Sequence, residues 1–454
     1  MQEKLPFSSY LVIGVMLFAL FFGAGNLIFP AQLGQLAGDQ LWPALIGFLI
    51  TGVGLPFLSV LAIGYSGSRN LQELASRIHP LYGLLFSAVL YLTIGPFFAA
   101  PRTGAVAYEI GIIPFVGQDA GALPLLLFTF VFFGVTLWLS LNPAKIVDRV
   151  GKFLAPGIVV LLLILIGFSV FNPLGGIGEV QAPYANGSFV KGFTEGYNTM
   201  DAIAALVFAI IVISAVKGMG VTSRKGILNA TFKSGLTAIV LLGVLYIGIA
   251  WIGATSVEKF GLFKTGGPVL SSAAEHYFGP FGTILMAVVI TLACLTTAIG
   301  LMTACGEYFS LIVPKIGYKA WVTIFTVFSF VVANFGLSKI ITYSIPVLMF
   351  LYPLAISLLL LTFSSRLFHH SRLVYVAATA VAFVIGLIDG LKSLAASLET
   401  EFGWLNPVIH LFEEYLPLYS DGLGWVVPVV AVMLITGIIS RLLGLSSEPA
   451  SVEA

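Results

Sequence analysis

The stretch Phe21-Phe22-Gly23-Ala24-Gly25-Asn26-Leu27-Ile28-Phe29-Pro30 sets two glycines, an amide side chain and a proline inside an otherwise apolar run. Gly and Pro in such a run free backbone N–H and C=O groups that lipid cannot satisfy. A helix broken there presents free carbonyls on one side of the break. On the other it presents free N–H groups and a positive dipole end. An α-amino acid suits that pair of ends, its carboxylate lying against Gly23, Ala24 and Gly25, where glycine lets a ligand approach the backbone closely. The competing reading is tight helix packing through small residues.

A second stretch, Glu195-Gly196-Tyr197-Asn198-Thr199-Met200-Asp201, runs directly into the apolar residues Ala202 to Val216. If a helix starts near Thr194, Asp201 falls about a third of the way into it, and a carboxylate at that depth is by default functional. The ammonium of the same amino acid would meet either this carboxylate or carbonyls near the break. The alternative makes Asp201 an interfacial N-cap on a helix beginning at Ala202. A third stretch, Thr291 to Gly300, carries adjacent Thr296 and Thr297. Their hydroxyls, the carbonyl of Ala293 one turn earlier and carbonyls freed near Gly23 form an oxygen set suited to a hard monovalent cation. Against that, threonines in apolar helices commonly bond their own carbonyls or join helices. Finally, Gly95 to Gly104 holds Pro96, Pro101 and Arg102. Arg102 reads either as an outer gate paired with Glu109 or Asp201, or as a side chain snorkelling to the interface.

These residues need elements to hold them. Of the 454 residues, 59% are hydrophobic and 9% charged, with a mean hydropathy of +1.05; a soluble domain carries about 25% charged residues. Apolar runs long enough to cross a bilayer fall near 10–36, 41–65, 81–110, 123–141, 152–171, 196–217, 229–254, 280–308, 320–336, 341–363, 373–391 and 424–444. They read as twelve helices, since the alternation of a membrane barrel is absent. The fold class is therefore an all-α polytopic membrane protein forming one transporter domain. Placing both termini in the cytoplasm puts fifteen of the twenty-one Lys and Arg residues on or near that side, among them Lys4, Lys145, Arg149 and Lys152. Helices 1 and 6 are the interrupted ones and occupy corresponding places if helices 1–5 (about 10–171) and 6–10 (about 196–363) are inverted repeats, with two further helices over 373–444. Sites in such folds form at the midplane between the repeats.

Several function classes drop out. A formal net charge of +1 with no basic tract argues against nucleic-acid partners. Cys294 and Cys305, the two cysteines, lie in one apolar run and read as buried small residues. The chain lacks a phosphate loop, a zinc pair and a nucleophile elbow, so it reads as no enzyme, needing no cofactor and drawing its energy from a gradient. The N-terminal run shows no signal-peptide cleavage site and is expected to stay as a helix. Channels, and carriers of nucleobases or polyamines, are the rival readings.

Phe21 to Pro30, Pro101-Arg102-Thr103 and Gly196 to Asp201 together resemble the bacterial branched-chain amino acid:cation symporters, the BrnQ/BraB-type carriers, over nearly the whole chain. That resemblance implies a LeuT-like fold, a 5+5 inverted repeat plus two C-terminal helices, in the bacterial plasma membrane. It implies uptake of leucine, isoleucine and valine coupled to sodium or protons. It places a substrate site at Gly23, Ala24, Gly25, Asn26, Tyr197, Asn198, Thr199 and Asp201. Sodium ligands are implied at Ala19, Phe22, Ala293, Thr296 and Thr297, the first two through backbone carbonyls.

Overall fold

The computed structural model describes residues 5–117, 121–142 and 155–445; Lys4, Lys145, Arg149 and Lys152 lie outside them. Among the described residues, eight helices are long and apolar enough to cross a membrane, and four shorter apolar ones accompany them. They fall into the twelve expected runs. Span 1 is Phe7–Phe21 followed by Ala24–Ala37. Span 2 runs from Leu41–Leu49 through a π turn at Ile50–Gly54 to Leu55–Ser66. Span 3 is Pro80–Leu92, a π turn at Thr93–Phe97, and Ala99–Gly111. Spans 4 and 5 are Ala122–Ser140 and Ala155–Phe171. Span 6 is Ser188–Glu195, a 3₁₀ turn at Gly196–Thr199, and Asp201–Gly218. Spans 7 to 12 are Arg224–Phe260, Pro280–Ile312, Tyr318–Ala333, Leu337–Ser364, Arg372–Ser397 and Val426–Leu442.

Local chemistry explains the interruptions. In span 3, Pro96 offers no N–H, and the ladder widens so that Phe98 N–H reaches Thr93 C=O at 3.1 Å, with Gly95 leaving helical geometry at ψ −113°. Span 7 starts where Ser223 Oγ accepts from Gly226 N–H at 3.2 Å, and it ends at Gly261, whose φ is 74°. The first half of span 6 was not legible as part of an apolar run, because Lys191, Thr194 and Glu195 make it amphipathic.

One compact unit runs through Val60 and resumes from Tyr91 to Ile341; the other takes Leu61–Leu90 and the described chain from Thr342. Within the first unit, glycines set the closest helix contacts. A Cβ on Gly34 would strike the Ala250 carbonyl oxygen, and one on Gly253 the Ala31 carbonyl oxygen, so span 1 and span 7 meet backbone to backbone. Gly47 against Phe189 C=O and Gly192 against Ala44 C=O do the same for span 2 and the first half of span 6. The Ala99–Gly111 part of span 3 packs on span 8, and span 9 lies against spans 4 and 8.

Candidate functional site

The break in span 1 follows from one diverted hydrogen bond. In an uninterrupted helix Gly23 N–H would bond Ala19 C=O, four residues back. Instead Gly23 N–H donates to Asn26 Oδ1 at 3.1 Å, and Phe22 adopts ψ 89°, which turns its carbonyl out of the helical ladder. The Ala19 carbonyl, so released, accepts from Thr296 Oγ1 at 3.0 Å and from Thr297 Oγ1 at 3.4 Å. Thr296 Oγ1 also donates to Ala293 C=O at 2.8 Å, three residues back. Thr296 thus both bonds its own helix and bridges to span 1. Oxygens of Ala19, Ala293, Thr296 and Thr297 converge, and Phe22 stands one residue before Gly23. A Cβ on Gly23 would sit 2.7 Å from Thr297 Oγ1, so glycine is what lets span 8 come this close.

The break in span 6 has the same logic on the other side. Met200 takes a left-handed conformation, φ 64°, and the helix restarts at Asp201. Asp201 is thus the first residue of a new half-helix whose N-cap is Met200, not the N-cap of a helix beginning at Ala202, and it is 2% exposed. Its N–H donates to Thr199 Oγ1 at 3.3 Å, and Thr199 Oγ1 donates in turn to Gly196 C=O at 2.9 Å. The Asp201 carboxylate accepts from Asn26 Nδ2 at 2.6 Å and from Tyr246 Oη at 2.7 Å; Asn26 and Tyr246 also contact each other. Asn26 therefore caps the second half of span 1 with its oxygen and ties that half to span 6 with its nitrogen. Tyr246, on span 7, was not anticipated: a lone tyrosine between Leu245 and Ile247 carries no pattern to mark it.

Arg102 corrects an expectation. The side chain is 3% exposed, so it does not snorkel, and its guanidinium enters the break of span 6. Nη1 donates to Asn198 C=O at 2.8 Å and Nη2 to Thr199 C=O at 3.2 Å, the carbonyls released when the helix restarts. The Phe29 ring lies 5.5 Å from its Cζ. An arginine at the centre of a lone span costs about 2.5–3.5 kcal/mol to insert, which contacts of this kind offset. Of its two suggested partners, Glu109 accepts from Thr265 Oγ1 at 3.3 Å, and the Asp201 carboxylate accepts from Asn26 and Tyr246. Arg102 also abuts span 1, because a Cβ on Gly25 would stand 2.8 Å from Nη2 and 3.2 Å from Thr199 Cα.

Of the other residues considered, Ala24 and Gly25 head a half-helix, where amides have no intrahelical acceptor. Gly23 differs, since Asn26 already holds its N–H. Tyr197 is buried, its ring edge-on to Phe193 at 5.8 Å. Asn198 contributes its carbonyl, and its side-chain amide donates to Glu195 Oε2 at 2.9 Å. Cys294 and Cys305 are both buried thiols.

The family of branched-chain amino acid transport proteins matches residues 7–443. The chain belongs to that family. It is 46% identical to the branched-chain amino acid permease BrnQ of Bacillus subtilis strain 168, over 95% of this chain and 96% of that one. It is 45% identical to the BraB permease of the same organism, over 99% of each. Among solved structures, Mhp1, a nucleobase-cation-symport-1 family transporter in a closed conformation with bromovinylhydantoin bound, superposes with a TM-score of 0.62 at 15% identity, covering 97% of this chain and 94% of that one. MhsT in complex with L-phenylalanine superposes with a TM-score of 0.50 at 17% identity, covering 94% and 98%. The fold is accordingly the LeuT-like one, and the family and its permeases make the chain a multi-pass membrane transporter, not an enzyme.

Proposed function

We propose that this protein takes up leucine, isoleucine and valine by symport with sodium, with both termini in the cytoplasm. The observation that carries the reading is the pair of facing helix breaks, each with its freed carbonyls met by a neighbouring span. Substrate carboxylate lies at the amide end headed by Ala24 and Gly25, and the ammonium lies toward Asp201. The Thr296 and Thr297 hydroxyls keep their hydrogens and rotate so that their oxygens, with the backbone carbonyls of Ala19, Phe22 and Ala293, ligate sodium. A neutral oxygen set fits a monovalent hard cation without a formal charge. Spans 1, 2, 6 and 7, joined by their glycine contacts, move as a bundle against spans 3, 4, 8 and 9. Names of the relatives support the substrate class.

The experiment is uptake of radiolabelled isoleucine into proteoliposomes under sodium and proton gradients imposed separately, with leucine, valine, lysine and uracil as competitors. Accumulation driven by sodium and blocked by leucine and valine is the expected result. Accumulation driven by protons alone overturns the sodium assignment. Block by uracil but not by leucine overturns the substrate class.

A further inference from the structure

We infer that Arg102 is the fixed positive charge that reads the substrate's carboxylate, and that with Asp201 it forms a built-in counterpart to the amino acid zwitterion. The inference rests on the proposed amino acid site and names the group that recognises one end of the ligand. Arg102 and the threonine pair occupy matching places in the fold. In the 5+5 repeat, span 3 is the counterpart of span 8 and span 6 the counterpart of span 1. Thr296 and Thr297 on span 8 meet the carbonyl freed in span 1, at Ala19. Arg102 on span 3 meets the carbonyls freed in span 6, at Asn198 and Thr199. The first arrangement presents neutral hydroxyls, which a mobile cation can use. The second already contains its cation, covalently tethered.

Geometry directs that charge toward span 1. Nη2 lies against Gly25, so close that any side chain there would displace it. Gly25 is in the first turn of Ala24–Ala37, where the helix dipole and free amides favour an anion. A carboxylate seated on those amides therefore meets the guanidinium as well. Guanidinium is planar and pairs with carboxylate by two parallel N–H···O bonds, and with both groups buried little solvent screens them. At the other end, the buried Asp201 carboxyl is held by Asn26 and Tyr246. Both groups attach to the same turn, Gly196–Thr199: Arg102 at the carbonyls of Asn198 and Thr199, and Asp201 through its N–H to Thr199 Oγ1. The carbonyls of Asn198 and Thr199, held by Arg102, are not what the ammonium meets; Asp201 is.

The test compares leucine with leucinamide, which keeps the side chain and the ammonium but lacks the carboxylate. Full-length wild type, Arg102→Gln and Arg102→Lys are purified, and inhibition constants of both compounds are measured against radiolabelled isoleucine binding. Wild type is expected to favour leucine over leucinamide by at least a hundredfold. In Arg102→Gln that ratio falls at least tenfold, because leucine weakens while leucinamide does not. In Arg102→Lys it falls less, since a charge remains without the fork. Equal weakening of both compounds means that Arg102 only braces the break, and overturns the inference. Should Arg102→Gln not fold, Arg102→Lys decides alone: a ratio lowered threefold or more supports the inference, and an unchanged ratio overturns it. Failure of wild type to bind leucine at all counts against the proposed function and is seen before any variant is made.

Discussion

Asp201 accepts two hydrogen bonds from side chains on two other spans, Asn26 and Tyr246, while fully withdrawn from solvent. Two roles are combined in it. As an acceptor it latches spans 1, 6 and 7 together at the breaks, and in the proposed site its charge is what the substrate's ammonium meets. Asp201→Asn separates them, because an amide oxygen can still accept from both donors while the charge is gone. Hydrogen bonds to a charged group contribute about 1.5–3 kcal/mol. The expectation is therefore that Asp201→Asn is made and inserted normally but binds leucine roughly 10- to 150-fold more weakly. Tyr246→Phe removes one bond of the latch and leaves the charge, so its loss of affinity is smaller, near the 1 kcal/mol of an ordinary hydrogen bond. Titration of radiolabelled leucine onto the purified variants checks both, and an Asp201→Asn protein that binds like wild type removes the ammonium role.

At the scale of elements, backbone contact between helices is what keeps the two broken spans aligned with their neighbours. Gly34 and Gly253 face Ala250 and Ala31 reciprocally, and a side chain on either would force the axes of spans 1 and 7 apart. Tyr246 sits on the same helix as Gly253, so widening that contact also draws the phenol from Asp201. Gly253→Leu is expected to reduce the yield of folded protein and to abolish uptake, while Gly243→Leu, at a glycine of span 7 with open space around it, is tolerated. Size-exclusion profiles of fluorescently tagged variants, read beside uptake, check this; equal behaviour of the two would mean the close contact is dispensable. The twelve spans were legible in the sequence because lipid demands unbroken apolar length, and the break at Gly23 was legible because glycine, asparagine and proline rarely share such a run. Ser188–Glu195 was not, since it is amphipathic and its apolar face exists only against span 2. Nor was the partner of Arg102, which lies 96 residues away and depends on a 3₁₀ turn at Gly196–Thr199 that no pattern announces.

For the molecule as a whole, transport by alternating access requires that substrate and cation favour the same conformation. The side chains that meet the freed carbonyls join one group of spans to the other: Thr296 and Thr297 reach Ala19, and Arg102 reaches Asn198 and Thr199. A cation at the first place and an amino acid beside the second thus act on one conformational equilibrium, though they need share no ligand. For the proposed sodium symport, linkage makes the coupling reciprocal: sodium is expected to tighten leucine by the same factor by which leucine tightens sodium, typically about 5- to 150-fold. Thr296→Val keeps the shape of the side chain and removes the hydroxyl. It is expected to bring both factors toward one while leaving leucine affinity without sodium unchanged. Four dissociation constants, measured on the wild type and again on the variant with choline replacing sodium, close the cycle. Unequal factors in the wild type would mean the two ligands report different states. A leucine affinity that follows pH and ignores sodium would move the coupling from the threonine oxygens to Asp201, the buried acid at the other break.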